Sequence, residues 1–369
     1  MSFDAIPAPE AGAILTIDLA ALADNWRRLA RRVGGADCAA VVKAEAYGTG
    51  LEPAAAALWK AGARTYFVAH LTGARRLRAL LPEAKIHVLN GLPPGEARAF
   101  LDLRLRPVLG SLPEIAEWAE AARGRADAEP AAVHLDTGLN RLGLEAHELG
   151  AASAALGGVK LGLVMSHFAA SEHATHPMNA RQIAAFDDMR AAFPGVAASL
   201  ANSSGVFLPQ QPHYDLVRPG YALYGGNPTP EAPNPMRAVV ALKARIIQTR
   251  WVEDGEVVGY NCTWTARGRR KLATISVGYA DGLPRGAMAT DESAGGEVIV
   301  AGRRCSFAGR VSMDLIVIDV TDAPRAERGD YVELLGETIG VDDLGGHART
   351  IGYEILTNLG RRYARVYKG

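Results

Sequence analysis

From about residue 37 to 220, short apolar runs alternate with longer stretches rich in Ala, Leu, Glu and Arg. The apolar runs have strand length, and each closes on a polar residue or a glycine. They are "AAVVK" ending at Lys43, "TYFVAH" at His70, "KIHVLN" at Asn90, "LRPVLG" at Gly110, "AVHLDT" at Thr137, "GLVMSH" at His167, "VAASLAN" at Asn202 and "HYDLVR" at Arg218. Between most of them lie helical patterns such as "LEPAAAALWKAGA", "LPEIAEWAEAAR" and "NARQIAAFDDMRAAF". Alternation at this spacing predicts parallel strands joined by crossover helices. Eight such runs predict a closed (β/α)8 TIM-type barrel rather than an open doubly wound sheet. No GxGxxG or GxxxxGK[ST] loop supports the open form.

The pattern changes after "YGGNPTPEAPNPM" (224–236), which is dense in proline and glycine. "AVVALKARIIQTR", "LATISVGYA", "GEVIVAG", "MDLIVIDV" and "DYVELLG" are short β-rich runs with glycine turns between them. Helical patterning returns only near "VDDLGGHA" and "TIGYEILTNLG". The chain therefore divides into a barrel over 12–237 and a mostly β C-terminal domain over 238–369. Its 369 residues suit two domains of this size.

Charge and cysteine content narrow the function classes. The 40 basic and 40 acidic residues balance, so no global field draws the chain to nucleic acid or an anionic membrane. The three cysteines, Cys38, Cys262 and Cys305, are far apart and form no CxxC, so neither a disulfide framework nor a metal site is expected. The N-terminal stretch has no basic residue before Arg27, and Asp18 and Asp24 interrupt its apolar run. No signal peptide or membrane span is expected, and the cytoplasm is the expected compartment.

In a barrel of this kind the chemistry collects at the carboxyl ends of the strands. Lys43 ends the first, and Asp136 and Arg141 lie at and after the fifth. His167 ends the sixth, Asn202, Ser203 and Ser204 the seventh, and Arg218 the eighth. A partly buried lysine there has a lowered pKa and a free amine, as Schiff-base chemistry requires. "ANSSG" supplies hydroxyls after strand seven, and "VRPGYALYG" supplies Gly220 after strand eight, where barrels usually bind phosphate. Lysine plus phosphate site fits pyridoxal 5′-phosphate (PLP), and equally a sugar-phosphate aldolase.

The ordered motifs "VVKAEAYGTG", "HLDTGLNRLG", "MSHFAASE", "LANSSG", "VRPGYALYG", "VGYNCTWTA", "SVGYADGLPR", "GRVSMD" and "GYEILTNLGRRYARVY" resemble the alanine racemases over nearly the whole chain. The resemblance implies a PLP enzyme that interconverts L- and D-alanine and supplies D-alanine for peptidoglycan. It implies that Lys43 carries PLP, that Tyr47, Ser203 and Tyr353 donate hydroxyls to the phosphate, and that the backbone of Gly220 and Tyr221 completes the cradle beside Asn202. Arg218 faces the pyridine nitrogen, and His167 links it to Tyr260. Lys43 and Tyr260 act as bases on opposite faces of Cα. Arg141, Met313 and Tyr279 meet the substrate. In the family, residues equivalent to Tyr260, Tyr279 and Met313 come from the other subunit, so a homodimer is implied.

The sequence departs from the family pattern at four places. Glu45 stands where Asp or Asn is common, Thr49 where His is common, and Asn140 where Gly is frequent. His134 stands where many members carry a lysine that becomes carboxylated and steadies the arginine equivalent to Arg141. The expectation is that Arg141 is held by an anion, by Asn140 or by a nearby acid. The competing readings are a racemase of serine, lysine or arginine, a PLP-dependent decarboxylase, and a non-catalytic PLP-binding protein. The decarboxylases typically place an acid at the pyridine nitrogen, against which Arg218 speaks. The non-catalytic proteins are barrels alone.

Overall fold

The computed structural model describes residues 6–369. Seven parallel strands run side by side in chain order: Ala40–Val41, Thr65–Val68, Lys85–Val88, Arg106–Leu109, Ala131–His134, Leu161–Met165 and Ala198–Ser199. An eighth, Leu216–Val217, pairs in parallel with Asp37–Cys38 at the start of the first. On its other side, Asp215 N donates to Ala198 O at 3.0 Å and Arg218 N to Ala201 O at 2.9 Å. These bonds close the ring, and each of the eight predicted strands forms, ending one to three residues before the residue that closes its apolar run. Thr65–Val68 and Ala131–His134 are buried at every position, as strands covered on both faces should be.

The outer helices follow their apolar spacing. Leu112–Ala122 buries Ile115, Trp118, Ala119 and Ala122, one face of a helix. Leu19–Arg32 begins at Asp18, whose carboxylate accepts from Ala21 N at 2.8 Å. Its buried Asn25 is fully paired: Nδ2 donates to Leu223 O (3.1 Å) and Arg237 O (2.9 Å), and Oδ1 accepts from Arg237 N (2.9 Å). No helix among the described residues is long and apolar enough to cross a membrane.

The second unit is built on the long strand Val240–Val252, whose buried and exposed positions alternate over its first half. It pairs antiparallel with Arg270–Ile275 and Tyr331–Leu335. It also pairs antiparallel with Ala13–Asp18, which pairs in parallel with the last strand, Ala364–Lys368. The first and last strands among the described residues thus pair in the second sheet. That pairing brings Arg365 and Tyr367 to the loop after Lys43.

Candidate active site

The first barrel strand leads straight into an unusual backbone. Ala44, Glu45, Ala46 and Tyr47 all have φ between 51° and 55°, so the chain makes one left-handed helical turn without a glycine. Its hydrogen bonds are helical: Ala46 N to Val42 O (3.1 Å), Gly48 N to Ala44 O (2.9 Å) and Gly50 N to Glu45 O (2.8 Å). Left-handed residues with a Cβ cost roughly 1–2 kcal/mol each, so the surroundings must hold them. The Tyr47 ring stacks on Tyr224 at 4.7 Å, and the Tyr224 hydroxyl donates to Val41 O at 3.0 Å. Thr49 is fully buried and donates to Ala46 O at 2.6 Å. From the last strand, Arg365 Nη1 donates to Gly48 O (2.7 Å) and the Tyr367 hydroxyl to Thr49 O (2.9 Å). Gly48 is obligatory: its φ is +78°, and a Cβ there would lie 2.0 Å from Leu356 O.

The turn delivers Lys43 to a cavity of about 810 Å³ at the carboxyl ends of the strands. The wall includes Lys43, Tyr47, His134, Arg141, His167, Asn202, Ser203, Arg218, Gly220, Tyr221 and Tyr353. Ten of the predicted site residues, Arg141 among them, therefore converge on one space. Tyr260, Tyr279 and Met313 do not line it. They are 68%, 43% and 53% exposed on the second unit.

One side of the cavity gathers hydroxyls and backbone amides. Ser203 Oγ accepts from Gly220 N at 3.0 Å and from Ala222 N at 3.1 Å, which leaves its O–H as a donor. Ala222 was not among the residues singled out from sequence, because a backbone amide carries no side-chain signature. Burial raises the pKa of the Tyr47 and Tyr353 hydroxyls, with Glu172 adding to the effect at Tyr353, so both keep their protons as donors. Tyr353 stacks on Tyr221 at 3.8 Å, and the Tyr221 hydroxyl is anchored on Asp342 at 2.6 Å. Asn202 shapes the loop: its Oδ1 accepts from Ser171 Oγ (2.9 Å) and Gly205 N (2.8 Å).

The other side carries buried positive charge. Arg218 is 4% exposed and bonds to Ser199 Oγ and Ser166 O, with no carboxylate partner among the described residues. Burial lowers its pKa to about 9, which leaves it charged at neutral pH. Behind it, Ser166 Oγ meets Thr137 Oγ1 at 2.8 Å, and Gln182 Nε2 donates to Thr137 Oγ1 (3.2 Å) and His167 O (2.9 Å). The signal for Gln182 lay in its helix, Pro177–Arg190, whose buried stripe carries Asn179 and Gln182 beside Phe186 and Met189. Burial first, and then Arg218 and Arg141, lower the pKa of His167 well below the ordinary value. The same causes push His134 down to about 4, so both imidazoles are neutral at pH 7. Lys43 opens to the cavity, yet the surrounding walls and the Arg141 charge lower its pKa.

Asp136 and Arg141 sit on one loop. Asp136 Oδ1 accepts from the amides of Gly138 (2.8 Å), Leu139 (3.0 Å) and Asn140 (3.1 Å). Asn140 has φ +55°, a conformation Asn tolerates better than most side chains, which explains Asn in a place where Gly is frequent. The Arg141 guanidinium is exposed and makes no hydrogen bond or ion pair among the described residues. Neither Asn140 nor an acid holds it, contrary to those two expectations.

The comparisons with known proteins agree on one family. The family models "Alanine racemase, N-terminal domain" and "Alanine racemase, C-terminal domain" match residues 17–228 and 239–367. The chain belongs to the alanine racemase family. It is 57% identical over 360 residues to an alanine racemase of Methylobacterium sp. (strain 4-46), covering 96% of this chain and 98% of the relative. It is 47% identical to a protein of Mesorhizobium japonicum named "Alanine racemase, catabolic", covering 97% and 94%. The crystal structure of alanine racemase from Bartonella henselae with covalently bound pyridoxal phosphate superposes with a TM-score of 0.91 at 40% identity, covering 97% of this chain and 100% of that one. Alanine racemase architecture thus accounts for both units and their order.

Proposed function

We propose that this chain is an alanine racemase that interconverts L- and D-alanine with PLP, using Lys43 and Tyr260 as the two bases. The observation that carries the reading is the convergence of Lys43, the Ser203–Gly220 cradle and a buried, acid-free Arg218 on one cavity. The residues fit PLP. Gly220 has no room for a Cβ, because the Tyr47 hydroxyl would lie 2.3 Å from it, so amide and hydroxyl converge as a phosphate requires. Tyr47, Ser203, Tyr353 and the backbone of Gly220 and Tyr221 would hold the phosphate beside Asn202, Lys43 the carbonyl carbon, and Arg218 the pyridine nitrogen. When bound, PLP supplies an electron sink that acidifies the Cα–H bond of an amino acid.

The chain's own groups handle the proton. Lys43, whose pKa is lowered by burial and by Arg141, would serve as the base at one face of Cα. Racemisation needs a second base opposite, and Tyr260 of this chain does not reach the cavity. The partner subunit's Tyr260 would complete the site in a homodimer, with the partner's Tyr279 and the partner's Met313 at the substrate. The exposure of all three side chains supports that arrangement. Neutral His167 lines the cavity together with Arg218 and is able to pass hydrogen bonding toward the phenol. Arg218 is charged and donor-only, so it would disfavour a proton on a pyridine nitrogen held against it. That would weaken the sink and limit side reactions such as transamination. Arg141 is free to meet the substrate carboxylate.

The reaction would take place in the cytoplasm and supply D-alanine for peptidoglycan. A deletion strain that requires D-alanine would support this role. One that grows without it but fails on alanine as carbon source would assign a catabolic role. The test of the activity is initial rates with L-alanine, L-serine, L-lysine and L-arginine. Alanine is expected to racemise fastest. Another amino acid fastest would assign a different racemase, and release of carbon dioxide would assign a decarboxylase.

A further inference from the structure

The left-handed turn after Lys43 has one side chain that reaches outward to a partner on another element. Glu45, with φ +55°, presents its carboxylate to the guanidinium of Arg76: Nη1 bonds Oε1, and Nη2 bonds Oε2 at 2.9 Å. The same guanidinium holds Glu52, with Nε to Oε1 at 2.7 Å and Nη2 to Oε2 at 2.8 Å. Arg76 lies on the helix Leu71–Leu80, behind the second barrel strand. Glu52 lies in the first turn of Leu51–Ala61, the helix into which the Lys43 loop runs. A single cation therefore ties both the start and the end of that loop to the next strand–helix unit.

We propose that Arg76 is a positioning residue for Lys43: through Glu45 it locks the left-handed turn and so fixes the aim of the lysine amine into the cavity. An isolated exposed ion pair does little. Here the pairing is bidentate, three charges share it, and it acts on a backbone whose conformation is costly by itself. The proposal also gives Glu45 a role at a position where the family commonly has a shorter side chain. It rests on the reading of Lys43 as the cofactor-bearing residue.

The test uses the holoenzyme and two kinds of readout. Hydrogen exchange reports the turn directly, through the Gly48 and Gly50 amides that bond to Ala44 O and Glu45 O. In Arg76→Ala these amides are expected to exchange about tenfold faster than in the wild type. The value of kcat is expected to fall about tenfold while KM for alanine changes less than about twofold. Arg76→Lys recovers part of both, because a point charge cannot chelate two carboxylates. Glu45→Gln reproduces the loss, and the double variant loses no more than either single one. Exchange and kcat unchanged in Arg76→Ala would overturn the proposal, as would losses that multiply in the double variant. A wild type inactive on alanine would instead overturn the proposed function, and the exchange data would still decide the role of Arg76.

Discussion

The Tyr47 hydroxyl lies 2.3 Å from the point where a side chain at Gly220 would begin. The last residue of the Lys43 turn is therefore packed directly on the backbone of the proposed phosphate cradle. Gly220→Ala would push the Tyr47 ring aside at a cost of about 1–3 kcal/mol. PLP affinity is expected to fall by about tenfold or more, measured by titrating PLP into stripped protein. Unchanged affinity would separate Tyr47 from the cradle.

A second expectation concerns the interface. Tyr260→Phe should lower racemisation by about 10²-fold or more, the usual worth of a general acid–base group. Its PLP absorption should stay intact, because Tyr260 is not among the groups proposed to hold PLP, which all line the cavity of the chain that carries Lys43. Mixing Tyr260→Phe with Lys43→Ala under conditions that exchange subunits should regenerate activity, since one site per mixed dimer then holds both bases. Mixtures as inactive as their parents would place both bases in one chain.

The third concerns pH. His87 is buried, stacks on Phe67 at 4.6 Å and leaves Nδ1 unpaired. Burial, with Arg106, Arg218 and Lys85 adding, pushes its pKa down to about 3, against an unfolded value of 6.5. The unfolded chain takes up the proton first, so stability is lost as pH falls from about 6.5 toward about 3. Between pH 7 and pH 5 the loss from this one group is about 2 kcal/mol. His87→Leu should show a correspondingly shallower fall in stability over that interval, whatever its stability at pH 7. Parallel pH profiles for the two proteins would contradict the assignment.

Much of the barrel was legible because its strands are covered on both faces. A doubly covered strand reads as a nearly continuous apolar run, so its polar end marks the barrel mouth. Lys43, His167, Asn202 and Arg218 all stand at such ends. Ala13–Asp18 was harder to place: its sequence abuts the first barrel helix, yet it bonds to Val240–Val252 and Ala364–Lys368. Pairing over that separation leaves no local trace. The left-handed turn was equally hidden, since Ala44, Glu45, Ala46 and Tyr47 are not residues that announce a positive φ. What holds them is tertiary: Tyr224, Arg365, Tyr367 and Arg76. His134 was legible as a departure, but the exposed, unpaired Arg141 beside it required the structure.

The central claim is that this cavity racemises alanine through Lys43. The most direct measurement follows the optical rotation of L-alanine with PLP-loaded protein and records the visible absorption of the bound cofactor. The wild type should carry rotation to zero and Lys43→Ala should lose both signals. Rotation that never changes with the wild type, or a Lys43→Ala variant that keeps both activity and absorption, would contradict it.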